Sequence, residues 1–401
     1  MTYTVPETIL EKYAQVMINF ALNEGEGVRP GQKVVLSIPE SAKPFLKHLY
    51  TTVIRAGAHP IIRYHPDGLG RIIYEEGSEE HLDFFAKDLV RGIVDEMDCL
   101  VNVIADDNPR ELEGIDPKKI MRRGVAQKQY REWLDEKENK GKFFWTLCLF
   151  GTPAMAQEAG LSLEEYWDEI ATACYLYEDD PVEKWKEVQA TLTEKREALT
   201  AMKLKTIRVV AENTDLTIGL GKERKWLGAT ARNIPSFELF ISPDWRETRG
   251  HIQFTEKLYR YGNVIKDAYL EFDENGCVSK ATASEGEDVL KEMIATEGAD
   301  KVGEFSMTDK RFSKITRFMA TTLYDENVGK EHGNTHIALG NAYKESYTGD
   351  VANTSKEEWK ELGFNESVVH TDIVATSPRE IYGVTEAGEE ILLYKDGMYQ
   401  F

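Results

Sequence analysis

Apolar positions recur along this chain at two periods, and the period changes partway. Over residues 6–24, Ile9, Tyr13, Met17, Phe20 and Ala21 fall on one side of a helix, and Gly25, Gly27, Pro30 and Gly31 then stop it. Lys33-Val-Val-Leu-Ser-Ile38 is a β-branched run that reads as a strand. Helical spacing returns over 41–56 through Pro44, Leu46, Leu49 and Val53, and ends at Gly57. His59-Pro-Ile-Ile-Arg-Tyr64, Asp98-Cys-Leu-Val-Asn-Val-Ile104 and Phe143-Phe-Trp-Thr-Leu-Cys-Leu-Phe150 read as three more strands. Strands alternating with helices at this spacing predict an α/β layer with a largely parallel sheet. Near-continuous apolar strands predict burial on both of its faces.

Residues 163–202 are helix-rich, charged and nearly free of glycine. From about Lys203 the texture changes. Thr206-Ile-Arg-Val-Val-Ala211 and Asp215-Leu-Thr-Ile-Gly-Leu220 suggest paired strands, and 264–272, 277–283 and 368–375 are also strand-like. Ile391-Leu-Leu-Tyr394 and Met398-Tyr-Gln-Phe401, joined through Lys-Asp-Gly, read as a terminal hairpin. Only 285–298 and 310–320 look helical in this half. The predicted class is α/β plus α+β: an N-terminal α/β domain with a largely parallel sheet over 1–200, and a β-rich C-terminal domain over 201–401.

Composition narrows the partners. The 401 residues carry 49 Lys+Arg against 70 Asp+Glu, a net charge of −21, with no basic run to override the field, which argues against nucleic acid. With 41% apolar and 10% aromatic residues the chain can bury a core, so disorder is not expected. The opening Met-Thr-Tyr-Thr-Val-Pro-Glu has no basic segment before an apolar block, so no secretory leader is expected. No apolar stretch approaches the roughly 20 residues of a membrane helix. Cys99, Cys148, Cys174 and Cys277 form no CxxC pair and read as reduced thiols of a cytoplasmic protein.

Common catalytic signatures are absent: HExxH, GxSxG and the Walker loop do not occur. Gly219-Leu-Gly221 lacks the third glycine of a dinucleotide loop and reads as a turn. Of eight histidines, His48, His59, His65 and His81 are scattered in the first half. His370-Thr-Asp372 differs: on a strand, residues two apart face one side, so imidazole and carboxylate would project together. That suits a divalent metal, or an aspartate that orients a histidine. A second group runs from Asp325-Glu-Asn327 to His336-Ile-Ala-Leu-Gly340-Asn-Ala-Tyr343, read as a loop and a small-residue turn. Glu238, after Pro235 and among Phe237, Leu239 and Phe240, would be costly to bury ionised unless neutralised, and Gly303-Glu304-Phe305 poses the same question.

Together these pieces resemble the thermophilic-type metalloaminopeptidases of peptidase family M29. The matching motifs are Asn-x-Pro-x-x-Glu at 233–238, Gly-Glu at 303–304, Asp-Glu-Asn at 325–327, His-Ile-Ala-Leu-Gly-x-Ala-Tyr at 336–343 and Asn-x-Ser-x-x-His-x-Asp at 365–372. Pro-Gly-Gln-Lys-Val at 30–34 and Ala-Gly-Ala at 56–58 match the family's first half. Two departures stand out: Phe237 replaces an acid, and the segment between Glu326 and His336 is long and carries Glu331 and His332. His332 reads as a surface residue of that loop.

The resemblance implies a two-metal site in the second half. Glu238, Glu304, Glu326, His336, His370 and Asp372 would be the ligands, with Glu304 as bridge or base and Tyr343 as the active-site tyrosine. An all-oxygen and nitrogen donor set suits Zn, Co, Mn or Mg. The implied activity is release of N-terminal residues from short peptides by a cytoplasmic homodimer. One alternative is a ring-cleaving dioxygenase with one iron on His336, His370 and Asp372, for which the three glutamates would have no use. The other is a peptide-binding relative without turnover.

Overall fold

A computed structural model describes residues 3–260 and 263–401. Two compact units are present: Met1–Lys186 with Ala231–Ile234, and Glu187–Thr230 with Pro235–Phe401. The first is α/β and the second is β-rich, as the patterning predicts. Among the described residues no helix is long and apolar enough to cross a membrane. Cys99, Cys148 and Cys174 are buried, Cys277 is half-buried, and all four thiols are free.

In the first unit, helix α1 (Glu7–Asn19) packs on α2 (Lys43–Arg55). Strands β1 (Lys33–Pro39), β2 (His59–His65), β3 (Cys99–Ile104) and β4 (Phe144–Leu149) form one sheet in the order β2-β1-β3-β4, extended by Asn233–Ile234. Every pairing in it is parallel. The helical spacing seen in 6–24 puts Leu10, Tyr13, Met17 and Phe20 into the core. Tyr13 ties helix to sheet: its hydroxyl donates to the Leu149 carbonyl at 3.1 Å and accepts from the Leu149 N–H at 3.3 Å.

Burial on both faces holds for β1, whose residues Val34–Ile38 are all buried, and fails for β2. There Ile61, Ile62 and Tyr64 are 37%, 49% and 37% exposed. The cause is position: β2 is the sheet edge and hydrogen-bonds to β1 alone. An apolar run does not itself distinguish an edge strand from a central one.

The second unit holds an antiparallel pair, β5 (Leu204–Ala211) and β6 (Thr214–Gly219), within an eight-stranded sheet. The terminal hairpin Glu390–Lys395 and Met398–Tyr399 closes that sheet's other edge. Its turn places Asp396 and Gly397 at φ +52° and +75°, the left-handed values that a two-residue hairpin needs. A five-stranded sheet contains β7 (Glu238–Ile241), β8 (Val302–Thr308), β9 (Asn334–Gly340) and β10 (His370–Ala375) in the order β10-β9-β8-β7, then Leu227–Gly228. All its pairings are antiparallel.

Two helical readings change. Residues 310–320 form turns and irregular backbone. Side chains there take the N–H groups a helix would use: Asp309 accepts from Arg311 N–H, Ser313 Oγ from Ile315 N–H, and Asp325 from Met319 and Thr321 N–H. A short helix at Lys356–Glu361 goes unread, although Ser355 and Glu358 form the reciprocal capping box that marks such a start. Residues 334–340, read as a loop and turn, are the strand β9.

Replacing Tyr13 by Phe removes both bonds to Leu149 and leaves a buried N–H and C=O without their partner. Urea unfolding followed by circular dichroism is expected to show a loss of about 1–3 kcal/mol. An unchanged midpoint would show that Tyr13 packs without anchoring.

Candidate metal centre

Antiparallel register decides which side chains meet. Glu304 lies opposite Ala338, which lies opposite Asp372; Ser306 lies opposite His336 and, on its other side, Phe240. Since alternate residues share a face, Glu238, Glu304, His336, His370 and Asp372 all project to one face of the five-stranded sheet. Every residue of β8 and β9 is buried, so this face is interior although it is polar. That explains why the strands are hard to read: the usual rule assigns the polar side of an alternating strand to water. A bulge between Val302 and Glu304 shifts the register beside the acid. Gly340, at φ +108°, lets β9 approach β10, because a Cβ there would lie 2.0 Å from the Val369 carbonyl oxygen.

The side chains converge in two groups that share Glu304: Glu238, Glu304 and His336, and Glu304, His370 and Asp372. His336 Nε2 lies 3.2 Å from Glu238 Oε2 and 3.4 Å from Glu304 Oε1. His370 Nε2 lies 3.4 Å from Glu304 Oε2 and 3.4 Å from Asp372 Oδ1. Thus each oxygen of Glu304 faces a different imidazole. Glu326 follows the short helix Thr322–Asp325, is buried and belongs to neither group, although Asp372, Glu238 and Glu304 act on its charge; its Oε1 accepts from Asn327 Nδ2 at 3.3 Å.

Both imidazoles are oriented by backbone. His336 Nδ1 donates to the Glu326 carbonyl at 3.1 Å and His370 Nδ1 to the Asn341 carbonyl at 2.9 Å. This leaves each Nε2 aimed at the carboxylates, the arrangement in which an imidazole serves as a metal ligand. Phe237, standing where an acid is expected, is fully buried and donates its N–H to Asn327 Oδ1 at 2.8 Å. Asn327 therefore joins the Glu238 strand to the Glu326 turn.

The electrostatics follow from burying like charges together. Burial first, then Asp372, Glu238 and Glu304, hold the Glu326 carboxyl well above the usual range. Glu238 is also raised, by burial and by Glu304, against bonds from His336 and Ser306. Burial opposes charge on His336, yet Glu238, Glu304 and Asp372 outweigh it and raise the imidazole well above its ordinary value. His370 behaves alike and reaches about 11, burial being overcome by Asp372 and Glu304. Asp372 falls to about 2: burial works to raise it, but His370, His336 and the Arg260 guanidinium prevail.

Tyr343 follows β9 and is 40% exposed. Its ring meets the His370 ring edge-on, centroids 5.0 Å apart, and burial of the phenol followed by the carboxylates, Glu304 first, keeps its pKa well above the ordinary value. His332 stands apart, half-buried beside the exposed Glu331, and belongs to neither group.

Comparison with known proteins identifies the family. The family described as thermophilic metalloprotease (M29) matches residues 7–399. The chain belongs to family M29. It is a hydrolase, a metal-dependent peptidase. Aminopeptidase AmpS of Bacillus subtilis is 29% identical, with 98% of each chain covered. Aminopeptidase T of Thermus thermophilus is 28% identical over 97% of this chain and 98% of that protein. The solved structure of wild-type AmpT from Thermus thermophilus superposes with a TM-score of 0.84 at 26% identity, covering 98% of this chain and 99% of that one.

The residues of this M29 peptidase fit a divalent cation. Glu238, Glu304, Glu326 and Asp372 are all buried, and an imidazole binds a metal only once its Nε2 proton is gone, so a cation there would replace the imidazolium charge that offsets these acids. The donors are oxygen and imidazole nitrogen, and no thiolate is among them. Two supporting residues escaped the sequence reading. Ser306 Oγ donates to Glu238 Oε2 at 2.8 Å, and Ser242 Oγ accepts the Tyr343 N–H at 2.8 Å. Ser306 lies two residues from Glu304, and that period-two spacing was its signal.

Gly340→Ala is expected to force β9 from β10, lowering stability by more than about 1 kcal/mol. Calorimetric titration with Zn²⁺ or Mn²⁺ should show weakened binding as well. Wild-type affinity in a stable Gly340→Ala protein would mean that the approach of these strands does not set the site.

Proposed function

We propose that the enzyme is an aminopeptidase that removes the N-terminal residue from short peptides, with two divalent ions held by Glu238, Glu304, Glu326, His336, His370 and Asp372. The observation that carries this reading is the division of Glu304, one oxygen toward the His336 group and the other toward the His370 group. A single carboxylate shared by two donor sets supports a bridging role for Glu304 and a paired site. When bound, divalent ions supply Lewis-acid polarisation of a carbonyl and a lowered pKa for water.

The chain's own groups do the rest. Tyr343, at the rim and held by Ser242, keeps its proton and donates it as a hydrogen bond to the oxyanion that develops at the scissile carbonyl. The carboxylate-rich floor attracts the substrate's free α-ammonium, which selects chain ends over internal bonds. The second-half location supports residues 201–401 as the catalytic domain. The buried glutamates disfavour the one-iron dioxygenase, since three acids crowd a triad that needs none of them. Reduced thiols and the acidic surface support a cytoplasmic setting, and the relatives' names support peptides as substrates. The reading extends to a homodimer, which light scattering would check.

Aminoacyl-p-nitroanilides are expected to be hydrolysed, to resist after chelation, and to be hydrolysed again on adding Co²⁺, Zn²⁺ or Mn²⁺. Tyr343→Phe should fold normally yet lose about 10²–10³-fold in kcat. Chelator-insensitive turnover, or a Tyr343→Phe enzyme with normal kcat, would refute these roles.

A further inference from the structure

The face of the sheet that carries the acids and imidazoles is polar or small at nearly every strand position: Glu304, Ser306, His336, Ala338, Gly340. Three large apolar residues interrupt it, as the register shows: Phe240 on β7, the half-buried Leu227 opposite it, and Val374 on β10. Val374 is 5% exposed and is core. Phe240 is half-buried, although its strand neighbours Leu239 and Ile241 are almost wholly buried. It stands two residues from Glu238 and opposite Ser306, so its ring shares the ligands' face.

That ring is part of a fixed aromatic run. Phe240 meets Tyr343 edge-on with centroids 5.4 Å apart, and Tyr343 meets His370 likewise at 5.0 Å. Ser242, two residues beyond Phe240, accepts the Tyr343 N–H, so the two rings are referenced to one segment of chain. An accessible apolar surface beside the group that would touch the scissile carbonyl can receive the side chain next to that carbonyl.

Resting on the aminopeptidase reading, we infer that Phe240 is a specificity-determining residue: with Tyr343 it forms the wall that receives an apolar side chain of the substrate's first residue. Leucyl, phenylalanyl and methionyl ends gain contact there. Aspartyl and glutamyl ends meet an apolar wall and a carboxylate floor, and lose their hydration without a partner.

The experiment compares metal-loaded wild type, Phe240→Leu and Phe240→Ala on leucyl-, phenylalanyl-, glycyl- and arginyl-p-nitroanilide, with thermal melting to verify folding. Wild type is expected to favour the leucyl and phenylalanyl substrates. Phe240→Ala should reduce the leucyl-to-glycyl ratio of kcat/KM by about tenfold, chiefly through KM, with Phe240→Leu between. If Phe240→Ala does not fold, Phe240→Leu carries the comparison alone. An equal fall in kcat on all four substrates would show that Phe240 only buttresses Tyr343 and would overturn the assignment. So would a wild-type preference for the arginyl or glycyl substrate. No chelator-sensitive release by wild type from any substrate would instead sink the peptidase reading, and this inference with it.

Discussion

Burying carboxylates together is the constraint on which this structure turns. Glu238, Glu304, Glu326 and Asp372 are each less than a tenth exposed and share one site. Such a group is sustainable only where positive charge is supplied at short range. Two imidazoles and one guanidinium supply part of it, which pushes His336 and His370 above the ordinary imidazole range and Asp372 below the ordinary carboxylate range. Much else in the second unit serves that arrangement. Backbone carbonyls aim the imidazoles, Ser306 and Asn327 bond the glutamates, and Gly340 brings the strands close.

The sheet is a suitable carrier because antiparallel register is rigid and alternates faces. A one-residue slip in β8 would send Glu304 to the opposite face and Phe305 into the site. Small residues at Ser306, Ala338 and Gly340 leave room over the sheet, while the opposite face of the same strands packs Phe305, Met307, Ile337 and Leu339 into the core. The polar chemistry and the hydrophobic stability of this unit are therefore written into alternate letters of the same strands.

Much of this was legible in the sequence, and unevenly so. The α/β half was read well because its strands are apolar runs between helices; the exposure of β2 was misjudged, since edge position depends on strand order, and central β3 also leaves Asn102 exposed and Leu100 and Ile104 half-buried. In the second half the hairpins were legible from turn residues. The site strands β8 and β9 were not, because their polar face points inward and mimics a solvent face or a loop. The His370–Asp372 juxtaposition was available from period two alone. Bringing it to Glu238, Glu304 and His336 needed tertiary register, which only the family resemblance anticipated. The irregular 310–320 segment was misread because its apolar spacing is helical while its N–H groups are captured by Asp309, Ser313 and Asp325. Of the chain's net charge of −21, the buried four acids account for a small part; the remainder is a matter of surface.

The proposed paired site, bridged by Glu304, needs cations to complete its charge balance. Elemental analysis of the purified protein after divalent-metal loading and desalting addresses it directly. Two divalent ions per chain are expected in the wild type. One iron per chain, or no retained metal, would contradict it.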